Sequence, residues 1–288
     1  MCLVYQGTLL RHGGTVDAML FWLIAHSDQI SVFNLIRYII LRAGGATATA
    51  FLVVVFFGPL IRLMNRKHRG GAPVRVEGAS SQVVSRNGTP ALDALTLLSA
   101  AFVSTMLWAN LRDPFVWIAI GEAMGFALIG FHDGHHQMTK RHGPFSRRIR
   151  LLSEMVIATG AWIVMFWIGR VPLATSHMFD ERRVVFGFIS LALSSMVVVG
   201  AANAVKLIDT GDRSLAAILS GVVVLGIIVY LIGPVAAGPR ELTVVCAALV
   251  GLCLGLVWFK TTSTPVFLGD TGSLALGATL GTIVLAIL

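Results

Sequence analysis

The sequence predicts an all-α, polytopic transmembrane helix bundle. Of its 288 residues, 56% are hydrophobic and only 12% are charged, which is about half the charged fraction of an ordinary soluble domain. The mean hydropathy is +0.82, and the apolar residues fall into long runs of the kind that cross a bilayer as helices. This composition excludes a soluble globular protein, and its hydrophobicity excludes an intrinsically disordered chain.

Eight apolar segments are predicted to span the membrane. Residues 1–37 precede them and contain no apolar run long enough to span, nor the basic start and cleavage site of a signal peptide. No Gly-, Pro- or Ser-rich linker divides the chain, so we expect residues 1–288 to form a single integral membrane domain. The predicted spans are residues 38–64, 91–111, 115–131, 151–169, 184–205, 215–234, 241–259 and 273–288.

The distribution of Lys and Arg predicts the orientation of these spans. Fourteen of the 22 basic residues lie in or beside the connections after the first, third, fifth and seventh spans, and five lie in the other connections. Because positive charge collects on the cytoplasmic side, we expect the N-terminus outside and the odd-numbered connections inside. The formal net charge of +8 is then a topology signal, and no nucleic acid partner is expected.

Four carboxylates fall on the predicted cytoplasmic face. Asp133 follows the third span, Asp209 and Asp212 follow the fifth, and Asp270 precedes the eighth. Each alone is equally well read as a solvated loop residue. Together they predict a site for Mg²⁺ and phosphate, since Mg²⁺ binds through a few carboxylates and substrate phosphate oxygens.

The segment 267–273 combines an aromatic residue, glycines and a carboxylate before the last span. Gly269 permits a tight turn and close approach of a ligand, and Ser273 or Thr271 is placed to cap the helix whose N-terminus favours an anion. Asp270 would then hold a metal ion beside a diphosphate, and Phe267 could stack on a base. The alternative is an ordinary capped helix start.

The segment 203–212 is the second candidate. On a continuing helix, Asp209 and Asp212 share one face, Asn203 lies near that face, and Lys206 adds a cation suited to phosphate. A plain amphipathic helix end is the alternative.

Three histidines surround Asp133, which suggests a transition-metal site. His132, His135 and His136 are its candidate ligands. Adjacent histidines do not both face one ion from a regular helix, so this hypothesis is the weaker one.

Two further charges lie inside predicted spans. Glu122 is a functional candidate because it lies mid-span. Arg42 lies near the outer end of the first span and is expected to snorkel to the interface without any particular role.

These segments, in this order, resemble the phospho-N-acetylmuramoyl-pentapeptide transferases. In that family, the phosphosugar of UDP-N-acetylmuramoyl pentapeptide is joined to undecaprenyl phosphate, which releases UMP and forms lipid I for peptidoglycan synthesis. The resemblance implies a phosphosugar transferase in the bacterial cytoplasmic membrane, with its site facing the cytoplasm. It is carried by residues 19–23, 58–60, 85–90, 130–133, 203–205, 209, 212, 258–259 and 267–281.

The resemblance also implies roles for individual residues. Asp270 would bind Mg²⁺, and Asp133 matches the first Asp of a paired motif that handles the polyprenyl phosphate. Phe267 matches the aromatic that stacks on uracil. The polar residues of the nucleotide site correspond to Asn203, Asp209 and Asp212.

The chain departs from the family pattern at several of these positions. Gly134 stands where the family has the second paired Asp, Gln137 where it has Lys, and Lys206 and Lys260 where it has Asn. The family has ten spans and a histidine-rich cytoplasmic loop, whereas eight spans are predicted here. Three alternatives therefore stay open: an inactive relative that binds polyprenyl phosphate or a partner, a transferase that uses UDP-N-acetylglucosamine, and a metal-handling membrane protein.

The expected partners are undecaprenyl phosphate, UDP-N-acetylmuramoyl pentapeptide and membrane lipids. Small residues in the spans are compatible with tight helix packing, within one chain or in a homodimer. They are Gly221, Gly251, Gly255, Ala275, Gly277 and Gly281.

Overall fold

The computed structural model describes residues 39–68, 90–139, 147–168, 183–209, 214–232, 240–262 and 269–287. Within these ranges, all regular structure is helical, and each predicted span overlaps one helix, which confirms the all-α bundle. The helices are α1 (Ile39–His68), α2 (Pro90–Trp108), α3 (Pro114–Thr139), α4 (Arg147–Trp167), α5 (Arg183–Ile208), α6 (Ser214–Ile232), α7 (Leu242–Thr262) and α8 (Gly269–Ile287).

Five of the described helices are long and apolar enough to cross a membrane. These spans have 19 or 20 residues each, within α1, α3, α4, α5 and α8, and at about 1.5 Å per residue they match a hydrocarbon core about 30 Å thick. The other three helices contain shorter apolar stretches, Leu98–Trp108, Ala216–Leu231 and Leu242–Trp258. The chain is therefore embedded in a membrane.

The start of α3 shows how local sequence fixes a helix boundary. Pro114 occupies the first helical position, where a missing N–H costs no hydrogen bond. Asp113 precedes it, and its Oδ1 accepts a hydrogen bond from the backbone N–H of Phe115 at 3.0 Å. This side chain satisfies a helical donor that has no partner within the helix.

Helix α8 is the central element of the bundle. It packs against α3 and α5 and also against α2, while α1 packs against α7. Every residue from Thr271 to Thr279 is buried. A helix that is buried on all sides is typical of the core of a membrane bundle, and the large apolar side chains exposed on the other helices, such as Phe56 and Trp167, form the surface expected to face lipid.

Arg42 joins three elements at one end of the bundle. It is 5% exposed, and its Nη1 and Nη2 lie 2.9 and 2.5 Å from the two carboxylate oxygens of Glu241. Its Nε and Nη2 also donate to the carbonyl of Trp108 at 2.8 and 2.6 Å, and Glu241 accepts a further bond from the N–H of Asn110 at 2.9 Å. The expectation that Arg42 simply snorkels is wrong, because its charge is buried and fully paired.

Candidate active site

The ends of four helices meet at the end of the bundle opposite to Arg42. Asp133 lies near the end of α3, Arg150 in the first turn of α4, Lys206 in the last turn of α5 and Asp270 at the start of α8. This arrangement follows from the chain directions, because α3 and α5 run towards this end and α4 and α8 run away from it. We call Asp133, Arg150, Glu154, Lys206 and Asp270 the carboxylate–cation cluster.

The close approach of α3 to the start of α8 depends on Gly130. A Cβ atom at this position would lie 2.7 Å from the carbonyl oxygen of Asp270 and 2.7 Å from the Cα of Thr271. Both are backbone atoms that cannot rotate away, so glycine alone allows this contact. It places Asp133, less than one turn later, beside Asp270.

Lys206 lies between two carboxylates from different helices. Its Nζ is 2.8 Å from Oδ2 of Asp270 and 3.9 Å from Oδ2 of Asp133. The exposed fractions of the side chains are 21% for Lys206, 32% for Asp270 and 9% for Asp133. The ammonium group therefore neutralises a partly buried pair of acids that would otherwise repel each other.

Arg150 contacts the same carboxylate oxygen of Asp133 that lies nearest to Lys206. Its Nη1 is 3.2 Å from Oδ2 of Asp133, and its Nε is 3.2 Å from Oε1 of Glu154. Its Nη2 donates to Oδ1 of Asn203 at 3.2 Å, while Nδ2 of Asn203 donates to Oε2 of Glu154 at 2.7 Å. Polar contacts therefore run without interruption from Asp270 to the buried Glu154, and three carboxylates face two cations.

The family of the chain is shown by comparison with known proteins. Residues 116–288 match the family model described as Glycosyl transferase family 4. One relative, a phospho-N-acetylmuramoyl-pentapeptide-transferase of Rhodopseudomonas palustris (strain BisA53), is 38% identical over 285 residues, which cover 93% of this chain and 79% of the relative. Another of the same name, from strain BisB18, is 39% identical over 286 residues with the same coverage.

The chain belongs to glycosyl transferase family 4. The resemblance to the phospho-N-acetylmuramoyl-pentapeptide transferases is confirmed by the same relatives, and the chain is a phosphosugar transferase. The carboxylate–cation cluster is the candidate active site of this family member, since it contains both Asp133 and Asp270.

The start of α8 differs from the sequence prediction. Helix α8 begins at Gly269, which has a left-handed φ of 66°, a backbone conformation that glycine adopts without strain. Ser273 lies one turn inside the helix, where its hydroxyl donates to the carbonyl of Gly269 at 2.8 Å. The expectation that Ser273 caps the helix is therefore wrong, because its hydroxyl acts as a donor within the first turn.

Of the remaining predicted site residues, the structure describes Asp209. Asp209 directly follows α5, is half-buried, and donates its backbone N–H to the carbonyl of Val205 at 2.9 Å, so the helical turn continues to this residue. Asp212 and Phe267 lie outside the described residues. The roles proposed for all these residues in nucleotide binding stay predictions.

The arrangement of Lys206 does not fit a Mg²⁺ ion that bridges Asp133 and Asp270. Mg²⁺ needs oxygen ligands at about 2.0–2.1 Å in octahedral geometry. The position between the two carboxylates is taken by the ammonium nitrogen, 2.8 and 3.9 Å from their oxygens. A bridging ion would therefore require Lys206 to move, and Mg²⁺ binding at Asp270 stays a prediction.

The histidine hypothesis gains no support from the described side chains. His132 is exposed whereas Asp133 is buried, so the two neighbours lie on different faces of α3. Among the side chains that the structure describes, no three His, Cys, Asp or Glu residues are close enough to bind one metal ion. The side chains of His135 and His136 lie outside that set.

Glu122 lies on the same helix as Asp133 but about three turns away, inside the bundle. Its side chain is 2% exposed, and neither carboxylate oxygen has a hydrogen-bond partner among the residues described. It is not part of the carboxylate–cation cluster.

Sequence reasoning missed two members of the cluster, Arg150 and Glu154. Arg150 lies in a connection whose basic residues indicate only the topology, and Glu154 lies within the predicted apolar span 151–169. Their spacing of four residues is the signal that identifies them, because an acid and a base at i and i+4 meet on one helix face.

Proposed function

We propose that this phosphosugar transferase moves phospho-N-acetylmuramoyl pentapeptide from UDP to undecaprenyl phosphate, with release of UMP and formation of lipid I. The relatives that carry this activity in their names support the proposal. The observation that carries it is the carboxylate–cation cluster, which brings Asp133, Lys206 and Asp270 together at one end of the bundle.

The two cations of the site, rather than its net charge, suit two phosphorylated substrates. A UDP-sugar and a polyprenyl phosphate both carry negative charge, and their phosphorus centres must approach each other. Arg150 and Lys206 supply two cations at the meeting point, and the N-terminus of α8 adds backbone N–H donors and a favourable dipole. We expect most of the rate enhancement to come from positioning and charge neutralisation.

The proposed reaction is a substitution at phosphorus. An oxygen of undecaprenyl phosphate forms a bond to the β-phosphorus of the UDP-sugar, while the bond from that phosphorus to the bridging oxygen breaks and UMP leaves. A phosphate monoester is largely dianionic at neutral pH, so the attacking oxygen needs no general base. We therefore assign Asp133 the role of holding Arg150 and Lys206 towards the polyprenyl phosphate.

The predicted setting is the bacterial cytoplasmic membrane, with the cluster on the cytoplasmic face where the nucleotide donor is found. The excess of basic residues in the odd-numbered connections supports this orientation. The product would serve peptidoglycan synthesis, and through it cell shape and cell division. A homodimer is a separate prediction, testable by the mass of the protein in nanodiscs.

The test is a transfer assay with purified protein, undecaprenyl phosphate and Mg²⁺. Two radiolabelled donors are compared, UDP-N-acetylmuramoyl pentapeptide and UDP-N-acetylglucosamine, and label is counted in the lipid-extractable fraction. We expect product from the first donor. Product from the second donor alone would replace the proposed substrate while keeping the reaction class.

A second candidate function is favoured by contacts that already occupy two polar side chains of the site. The amide oxygen of Asn203 already accepts a hydrogen bond from Arg150, and its amide nitrogen already donates one to Glu154. Asp270 is already paired with Lys206. Such internal pairing is expected for a relative that binds polyprenyl phosphate without turnover. Calorimetric binding of either substrate by folded protein that forms no product from either donor would favour this candidate.

A further inference from the structure

Lys206 is placed as a cation that belongs to the protein itself. Its Nζ contacts Oδ2 of Asp270 at 2.8 Å and lies 3.9 Å from Oδ2 of Asp133. These two acids belong to α8 and α3, whereas Lys206 belongs to α5, so the ammonium group joins three helices at one point.

We propose that the ammonium group of Lys206 takes the place of a divalent cation between Asp133 and Asp270, so that the substrate-free site excludes Mg²⁺ and Mn²⁺ from these carboxylates. This inference rests on the proposed function, because it concerns the same site. It identifies Lys206 as the residue that lowers the affinity of the substrate-free site for divalent cations.

The position of Lys206 is fixed by the packing of α5 against α8. Ala202 and Val205, in the turn before Lys206, are 0% and 8% exposed. A Cβ atom at Gly277 of α8 would lie 2.5 Å from the Cα of Ala202, so the two helices are in backbone contact here. The base of the lysine side chain is therefore held in place beside Asp270, and only its flexible stem moves.

The charges of the cluster agree with this role. Asp133, Glu154 and Asp270 carry three negative charges, and Arg150 already pairs with Asp133 and Glu154. Lys206 is the cation that Asp270 contacts at 2.8 Å. Without it, Asp270 would lose the cation it contacts, and its carboxylate, beside that of Asp133, would be open to a divalent ion.

The size of the effect follows from a charge at short range. An opposite charge about 4–6 Å from a carboxylate weakens its affinity for a proton by about 10- to 1000-fold. The positive charge of Lys206 weakens the binding of a divalent cation to the same carboxylate for the same reason. We therefore expect removal of the lysine charge to raise the affinity for Mn²⁺ by about tenfold or more.

The experiment is a Mn²⁺ titration followed by electron paramagnetic resonance, with purified protein in micelles and no nucleotide or polyprenyl phosphate. The variants are Lys206→Asn, Lys206→Gln, the double variant Lys206→Asn with Asp270→Asn, and Arg148→Asn. Arg148 is an exposed residue in the first turn of α4, so its variant removes the same charge near the site without touching the two carboxylates. Helical circular dichroism and monodisperse elution establish folding.

We expect weak Mn²⁺ binding in the wild type, a gain of about tenfold or more in both Lys206 variants, loss of that gain in the double variant, and less than about threefold change in Arg148→Asn. Unchanged affinity in the folded Lys206 variants, or an equal gain in Arg148→Asn, would overturn the proposal. If neither Lys206 variant folds, the single variant Asp270→Asn decides the matter. Mn²⁺ that is excluded from Asp270 binds elsewhere, so removal of this carboxylate should leave the weak wild-type affinity unchanged. A marked loss of Mn²⁺ binding in Asp270→Asn would show that the ion already reaches this carboxylate.

This titration requires neither substrate nor turnover. Its failure would therefore refute the role of Lys206 while leaving the transfer reaction intact. Failure of the transfer assay, in turn, would leave the titration result standing.

Discussion

Replacement of Arg150 by Met tests how the carboxylate–cation cluster is held together. Arg150 contacts Asp133, Glu154 and Asn203 at 3.2 Å each, and Glu154 is completely buried. The variant leaves Glu154 with one hydrogen bond, from Asn203 at 2.7 Å, and no cation. Removal of one partner of a buried ion pair costs about 3–5 kcal/mol, so we expect Arg150→Met to lower the free energy of unfolding by about this amount.

The paired variant Glu154→Met separates charge from packing. In Arg150→Met with Glu154→Met, both buried charges are gone and two side chains of similar length fill the space. Replacement of a buried ion pair by apolar residues is often neutral or stabilising. We therefore expect the double variant to recover at least about half of the loss, with a coupling free energy of about 1–3 kcal/mol.

The assay is thermal or denaturant unfolding of the purified protein in micelles, followed by circular dichroism. Arg148→Met is the matched control, because it is exposed and lies two residues away on the same helix. The reasoning is refuted if Arg150→Met changes stability no more than this control does. It is also refuted if the two single losses simply add in the double variant.

Three other predictions concern single positions. Gly130→Ala should sharply reduce transfer activity, since its Cβ would meet backbone atoms of α8 at 2.7 Å. Gly121→Ala should not, since a Cβ at Gly121 would have no atom within 4 Å, and equal rates of the two variants in the transfer assay would contradict this. Glu122→Leu should raise thermal stability by about 1–3 kcal/mol, because it removes a buried carboxylate that has no hydrogen-bond partner in the described part of the chain; a lower melting temperature would contradict this. Glu241→Ala should lower stability by about 3–5 kcal/mol, because it removes the carboxylate that pairs with the buried guanidinium of Arg42. An unfolding midpoint equal to that of the wild type would contradict this.

The fold was predictable because apolar runs of membrane length form helices in nearly any context. Backbone groups in hydrocarbon must be satisfied within the segment, so length and composition determine the element. The meeting of Asp133 and Asp270 was also predictable as a common membrane face, since the alternating direction of successive spans places both at the same end. Their distance was not predictable from this reasoning.

What sequence reasoning could not supply was the rotation of each helix. Lys206 falls between Asp133 and Asp270 only because Gly130 lets α3 touch α8 and because α5 packs closely on the same helix. Arg42 and Glu241 are 199 positions apart, and no local pattern links them. Glu154 was within reach of sequence reasoning, because its spacing from Arg150 is that of a helical ion pair.

The central claim is that Asp270, within the carboxylate–cation cluster, supports transfer of the phosphosugar. The most direct measurement is the initial rate of lipid-extractable product formation by Asp270→Asn beside Asp113→Asn, which changes the same residue type at the opposite end of the bundle and keeps a helix-capping side chain. We predict a loss of at least about 100-fold for Asp270→Asn, on the scale of a lost electrostatic contact to the reacting groups, and a near wild-type rate for Asp113→Asn. Equal rates in the two folded variants would contradict the account.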